Sequence, residues 1–173
     1  FHDMDYFLQP IFNSSVISIG DMLDNGTVIN GKLIESPKSF RVACTVLVQI
    51  LATVASTQYG GQSVDISHLG KYVRKSYEKF KEEFGGVYSK EILEKKIKEE
   101  VTSGVQTIQY QINTLMTTNG RSPLVSLFMY LREDDEYIKE NALIIEEILK
   151  QRIEGMKDAE GKYINPEFPK LIY

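Results

Sequence analysis

The sequence predicts a helix-rich α/β fold, on three observations. Long stretches place apolar residues at helical spacing between residues 37 and 153. An Asn-Gly pair, Asn30-Gly31, separates two short apolar triplets. Late in the chain, VSLFMYL and the tail GKYINPEFPKLIY carry β-type residues between turn signals. Helical and two-residue periods in one chain define the mixed class.

Taken in order, residues 6–19 (YFLQPIFNSSVISI) combine aromatic and β-branched residues with breaks at Pro10 and Asn13, the pattern of an extended segment entering a core. In TVINGKLI both turn positions need positive φ, which Asn and Gly tolerate, so a hairpin is predicted over 27–34. Ser36-Pro37 supplies a cap and a first helical residue. The helix that follows, through residue 57, is apolar nearly all round, which predicts burial on most sides. Gly60-Gly61 then reads as its C-terminal cap rather than a phosphate cradle. A second helix is predicted over 65–84, with Leu69, Tyr72, Val73, Tyr77, Phe80 and Phe84 at spacings of three and four. A third runs from Ser89 and stops at Asn119-Gly120, with Ile92, Ile97, Val101, Val105, Ile108, Ile112 and Leu115 at helical spacing. Pro123 leads into the buried-strand pattern VSLFMYL. Asp134 or Asp135 caps a fourth helix that Gly155 ends, and the tail forms a turn and a strand.

The chain has 173 residues, 42% hydrophobic and 25% charged, enough for one self-sufficient core. Twenty basic against 24 acidic residues give a net charge of −4, which excludes a basic nucleic-acid footprint; single nucleotides need only a few local cations. One cysteine, Cys44, leaves no disulfide framework and no thiolate zinc site. Cys44 reads as a small core residue, and two histidines are too few for a metal cluster. His68, near a helix start, reads as a surface or capping residue, and the lysines at 71, 75, 79 and 81 as a solvated face. No apolar run is long enough to span a membrane, and the first residues lack the basic start of a secretory signal, so a cytoplasmic location is expected. Phe1 at one end and the apolar FPKLIY at the other suggest a piece of a longer chain. The motifs GxGxxG, GxxxxGK[ST], HExxH and GxSxG are all absent.

Five uncommon strings occur in order: FHDMDYFLQPIFN, DMLDNGTVINGKLIESPKSF, VASTQYGGQS, INTLMTTNGRSP and FPKLIY. Together they make the chain resemble the anaerobic (class III) ribonucleoside-triphosphate reductases, across practically all 173 residues. The resemblance implies a fold: part of the first half of the ten-stranded α/β barrel of glycyl-radical enzymes. On that reading residues 1–173 are one fragment of the catalytic domain, without the ATP-cone, the thiyl-radical loop or the C-terminal radical glycine. It further implies reduction of ribonucleoside triphosphates by glycyl and thiyl radical chemistry. No cofactor is expected in this segment, since the glycyl radical and the structural zinc of the family lie outside it. Implied partners are the ribonucleotide substrate, deoxynucleotide effectors, a radical-SAM activating enzyme and a second copy, in a homodimer built on the 37–117 helices.

The family carries a cysteine directly after the asparagine of a segment like IFNCCV; here the residues are Asn13, Ser14 and Ser15. Ser14 thus occupies the position facing the substrate ribose, by nature or by exchange of cysteine for serine. A hydroxyl forms no disulfide and has a stronger bond to hydrogen than a thiol, so Ser14 is left with hydrogen bonding. The resemblance assigns an effector site to Glu35, Gln49 and Lys79, whose types suit a base edge, a sugar and phosphates. Their plain readings are a turn carboxylate, a polar gap in a buried helix and a solvated lysine. A glutamine within VLVQILATV needs partners in the interior or at an interface. For the TNGRSP turn, with Asn119, Gly120 and Ser122, the resemblance implies a substrate-side role, and a plain turn accounts for the residues equally well. The rival reading is a non-catalytic nucleotide-binding or dimerisation module derived from the enzyme.

Overall fold

A computed structural model describes residues 14–57, 60–83, 89–115 and 123–173. Its centre is a four-stranded, all-parallel sheet in the order β1 (Ser14–Ile17), β4 (Gly61–Asp65), β5 (Val125–Phe128), β8 (Lys170–Ile172). Between β1 and β4 lie helix α1 (Ile19–Asp24), the hairpin β2 (Thr27–Ile29) and β3 (Lys32–Ile34), and helix α2 (Phe40–Thr57). A 3-10 turn, Ile66–Leu69, leads from β4 into α3 (Gly70–Glu83), followed by α4 (Lys90–Thr114). Helix α5 (Ile138–Glu154) and a second small hairpin, β6 (Met156–Lys157) with β7 (Tyr163–Ile164), separate β5 from β8.

The predicted hairpin is present, with Asn30 at φ 50° and Gly31 at φ 73°. Helix α2 starts later than Ser36-Pro37 suggested. Ser39 closes its first turn, its carbonyl accepting from the Ala43 N–H. Other free N–H groups find partners across the fold: Phe40 donates to Ser76 Oγ at 2.8 Å, and Arg41 to Glu100 Oε1 at 3.1 Å. Tertiary caps replace the local one, which is why the local signal misplaced the start. Nor is α2 buried all round. Arg41, Val42 and Gln49 are exposed and Thr45 half-exposed, a stripe at helical spacing, while Phe40, Ala43, Cys44, Leu47, Val48 and Leu51 are sealed.

Gly61 is the first residue of β4 and not a helix cap. Residues 65–69 likewise form a strand end and a 3-10 turn, so the second helix begins only at Gly70. The third helix ends at Thr114, with Leu115 already extended, short of the predicted stop at Asn119-Gly120. Asn119-Gly120 itself, residues 6–13 of the extended segment and Phe84 lie outside the described residues. Asp135 rather than Asp134 prepares α5, accepting from the Tyr137 N–H and from Asn141 Nδ2, each at 2.8 Å. Gly155, at φ 73°, ends it.

The core lies between one face of the sheet and the helices. Helices α2 and α4 make the closest approach at Gly104, where an added Cβ would lie 2.4 Å from Phe40 Cε1 and 2.9 Å from Cys44 Sγ. Ile97, Val101, Val105, Ile108 and Ile112 extend that contact along α4. Cys44 is fully buried, as expected, and burial pushes its thiol well above the ordinary range. Gly104→Ala should force Phe40 off its seat and cost about 1–3 kcal/mol in overpacking. Chemical denaturation of the two proteins checks this, and an unchanged midpoint would mean that the helices pack elsewhere.

Candidate active-site wall and neighbouring sites

Strand residues alternate between two faces of a sheet, and parallel partners share a face. Ser15, Ile17, Gln62, Val64, Val125 and Leu127 therefore point toward the helices. Ile17, Gln62, Val64, Val125 and Leu127 are all buried. The opposite face carries Ser14, Val16, Gly61, Ser63, Asp65, Ser126, Phe128, Lys170 and Ile172. Val16 is 84% exposed, and among the described residues no helix covers this second face.

Of the two serines that follow Asn13, the sheet puts Ser14 on the bare face and Ser15 against the core. Ser14 is exposed and pairs with Gly61, whose missing side chain leaves space beside the hydroxyl. Ser15 pairs with Gln62. The Ser15 hydroxyl and both amide atoms of Gln62 are buried without a hydrogen-bond partner. Gln62, at 1% exposure on the central strand, is a polar interior residue that the sequence reading missed. Asn13 and the turn residues Asn119, Gly120 and Ser122 lie outside the described residues.

Glu35 is exposed just after β3, Gln49 is exposed on the α2 stripe, and Lys79 is exposed on α3 with its ammonium 3.6 Å from Glu83 Oε1. No hydrogen bond or ion pair joins the three among the described residues. Gln49 faces outward and not into the core, which leaves its amide available to a second surface. Val42, on the same stripe, is 49% exposed.

A second constellation forms where β1, β4 and β5 end. A cleft of about 360 Å³ is lined by Gly20, Asp24, His68, Lys71, Arg132 and Tyr137, among others. The lysine at 71 is only partly the solvated side chain predicted, because it pairs with Asp24. Tyr72, fully buried, donates its hydroxyl to Asp24 Oδ1 at 2.8 Å. Burial opposes the Asp24 charge, but the hydrogen bonds from Lys71 and Tyr72 outweigh it and hold the carboxyl below its usual range. Burial, followed by the Asp24 anion against a counteracting Ser36 bond, pushes the Tyr72 phenol up to about 12. His68 is exposed, its ring against Gly20, in keeping with a surface role. No group of three His, Cys, Asp or Glu side chains that could hold a metal exists among the described residues. Among them, too, no helix is long and apolar enough to cross a membrane.

A family model described as "Anaerobic ribonucleoside-triphosphate reductase" matches residues 1–173. The chain belongs to this family. Anaerobic ribonucleoside-triphosphate reductases that it resembles include that of Haemophilus influenzae, 35% identical over 185 residues, covering 100% of this chain and 24% of the relative. The enzyme of Enterobacteria phage T4 is 35% identical over 99% of this chain and 28% of its own length. The chain thus spans about a quarter of the length of these reductases. The fold is also that of the anaerobic ribonucleotide reductase of Thermotoga maritima in complex with dATP and CTP, with a TM-score of 0.60 at 13% identity, over 87% of this chain and 26% of that one. Another structure of the Thermotoga reductase holds citrate in its active site, with a TM-score of 0.58 at 13% identity, over 87% of this chain and 27% of that one. The helix-rich α/β architecture with its parallel sheet is that of part of the reductase barrel.

The Asp24–Tyr72 pair generates a pH prediction. An unfolded tyrosine titrates near ~10. The contribution of a raised phenol is complete below that pH and is lost as pH rises toward about 12. The depressed Asp24 contributes above about 4 and loses that contribution as pH falls further. Melting temperatures across pH should therefore fall on both limbs. Tyr72→Phe should flatten the alkaline limb, and equal alkaline slopes in the two proteins would refute the assignment.

Proposed function

We propose that this chain forms part of an anaerobic ribonucleotide reductase that converts ribonucleoside triphosphates to deoxyribonucleoside triphosphates by glycyl and thiyl radical chemistry. The observation that carries the reading is the placement of Ser14 on the helix-free face of the parallel sheet. In an α/β barrel the helices lie outside and the bare face lines the interior. Ser14 is then part of the wall facing the substrate ribose, where its hydroxyl donates to or accepts from a ribose hydroxyl. Ser15 points away and takes no part.

The family's glycyl radical would supply, through a thiyl radical, the hydrogen abstraction that starts ribose reduction. On this reading the residues that would hold that group and the family's zinc lie outside this segment. Cys44 is sealed in the core, and no metal-ligating cluster exists among the described residues. What the segment contributes is binding and orientation. Exposed Glu35, Gln49 and Lys79 are read as one half of a deoxynucleotide effector site, completed by a second copy across helices of the 37–117 region. Gln49 and Val42, two turns apart on the exposed stripe of α2, support an interface there. The radical-SAM activating enzyme and a reductant complete the system, and a cytoplasmic location follows from that chemistry.

Serine at position 14 favours a second reading, a non-catalytic nucleotide-binding or dimerisation module. An anaerobic assay of the polypeptide as encoded in full, with activating enzyme and reductant, separates the two. Deoxynucleotide formation is expected; nucleotide binding without turnover would favour the second reading. Residues 1–173 alone should give no turnover. Gln49→Ala and Lys79→Ala should each weaken deoxynucleoside triphosphate binding by about 10-fold or more, the value of a charge-assisted or buried hydrogen bond. Calorimetry showing unchanged binding in both variants would remove these residues from the effector site.

A further inference from the structure

The bare face of the sheet carries one row that the function above does not use. Val16 pairs with Ser63, Ser63 with Ser126, and Ser126 with Lys170, so these four side chains lie side by side across all four strands. Two hydroxyls therefore lead directly to an ammonium group. Ser63 and Ser126 are half-exposed and Lys170 is exposed. Among the described residues neither serine hydroxyl makes a hydrogen bond and Lys170 has no carboxylate partner; its ammonium lies 5.7 Å from the Phe168 ring. The other charged strand residue of this face is Asp65, and its carboxylate is turned into the 3-10 turn, accepting from the Ser67 N–H at 2.9 Å.

The position of Lys170 is firmly held. Arg152 donates to the carbonyls of Pro166 and Pro169, and Asn113 Nδ2 donates to the Phe168 carbonyl at 2.9 Å. The Met129 N–H donates to the Ile172 carbonyl at 2.8 Å. Three anchors around one short edge strand fix where the ammonium emerges.

A lysine on the inward face of a closed barrel cannot stay unpaired, because removing its charge from water costs several kcal/mol. The remedy is a neutralising anion, and two hydroxyls beside a cation are what non-bridging phosphate oxygens accept from. We propose that Lys170, with Ser126 and Ser63, binds the phosphate tail of the nucleotide on the bare face of the sheet. This rests on the reading of that face as the active-site wall. Strand spacing and rise put the Cα atoms of Ser14 and Lys170 about 16 Å apart. A ribose with its triphosphate and the lysine arm together cover such a span. The phosphate tail thus lies across β5 and β8, and the ribose lies toward β1.

The test is calorimetry on the polypeptide as encoded in full, with inorganic tripolyphosphate, a ribonucleoside triphosphate and the corresponding nucleoside as probes. Lys170→Gln should weaken tripolyphosphate and triphosphate binding about 10-fold or more and leave nucleoside affinity unchanged. Lys170→Arg should retain most of the affinity, and Ser126→Ala should show a smaller loss. A melting curve equal to wild type establishes that Lys170→Gln folds. Tripolyphosphate that does not bind wild type up to millimolar concentration, or that binds Lys170→Gln equally well, would overturn the inference. So would an equal loss for the nucleoside. Lys170-dependent tripolyphosphate binding in a protein that forms no deoxynucleotide would overturn the reductase reading alone and leave this site standing.

Discussion

Phe40 seated over Gly104 is the contact that the remaining architecture depends on. It brings α2 against α4 at a distance that only glycine permits, and the side chains from Ile97 to Ile112 follow on one face. That helical slab covers one side of a short parallel sheet and leaves the other side bare. Had glycine been replaced by a larger residue, the slab would stand off and the buried strand face, from Ile17 to Leu127, would lose its cover. Strand alternation then leaves Ser14 on the bare side and turns Ser15 toward the slab, so only the first of two adjacent serines can meet a ligand there.

Electrostatics divide along the same line. On the helix side two carboxylates are paired within the fold: Asp24 with Lys71, with a hydrogen bond from Tyr72, and Glu140 with Arg74 at 2.8 Å. The amide of Gln62 and the hydroxyl of Ser15 are among the buried polar groups without a partner, and they lie beside each other. On the bare side, among the described residues, the hydroxyls of Ser63 and Ser126 make no hydrogen bond and the Lys170 ammonium has no carboxylate partner. Groups left without internal partners at the surface of an ordered sheet are the ones free to recognise something else.

Much of this arrangement was legible in the residues, and the failures have physical causes. Asn30-Gly31 specified its hairpin because both positions need positive φ, a purely local demand. The long helices were visible from their spacing. Strand β4 was not, because GQSVD places a polar glutamine where a buried strand normally shows an apolar residue. Helix α1, IGDMLD, is too short for periodicity to declare itself, and nothing in the sequence marks it between the extended segment and the hairpin. Ser14 could be singled out only through resemblance, since nothing in its neighbours distinguishes it from Ser15. Lys170 could not be found at all, because FPKLIY reads as an apolar tail until β8 is set beside β5.

The strand order β1-β4-β5-β8 is also the order in which the strands leave the ribosome. Each new strand adds to the edge formed by its predecessor, and no strand has to be inserted between two already paired. The sheet can therefore grow at its leading border during synthesis, with each crossover helix sealing the buried side before the next strand arrives. Such an assembly always presents one unfinished border with unpaired N–H and C=O groups, which is a template for the next strand and equally for a stray one. The time between successive strands is thus the interval in which this polypeptide is most exposed to mispairing, and a pause in translation there would lengthen it.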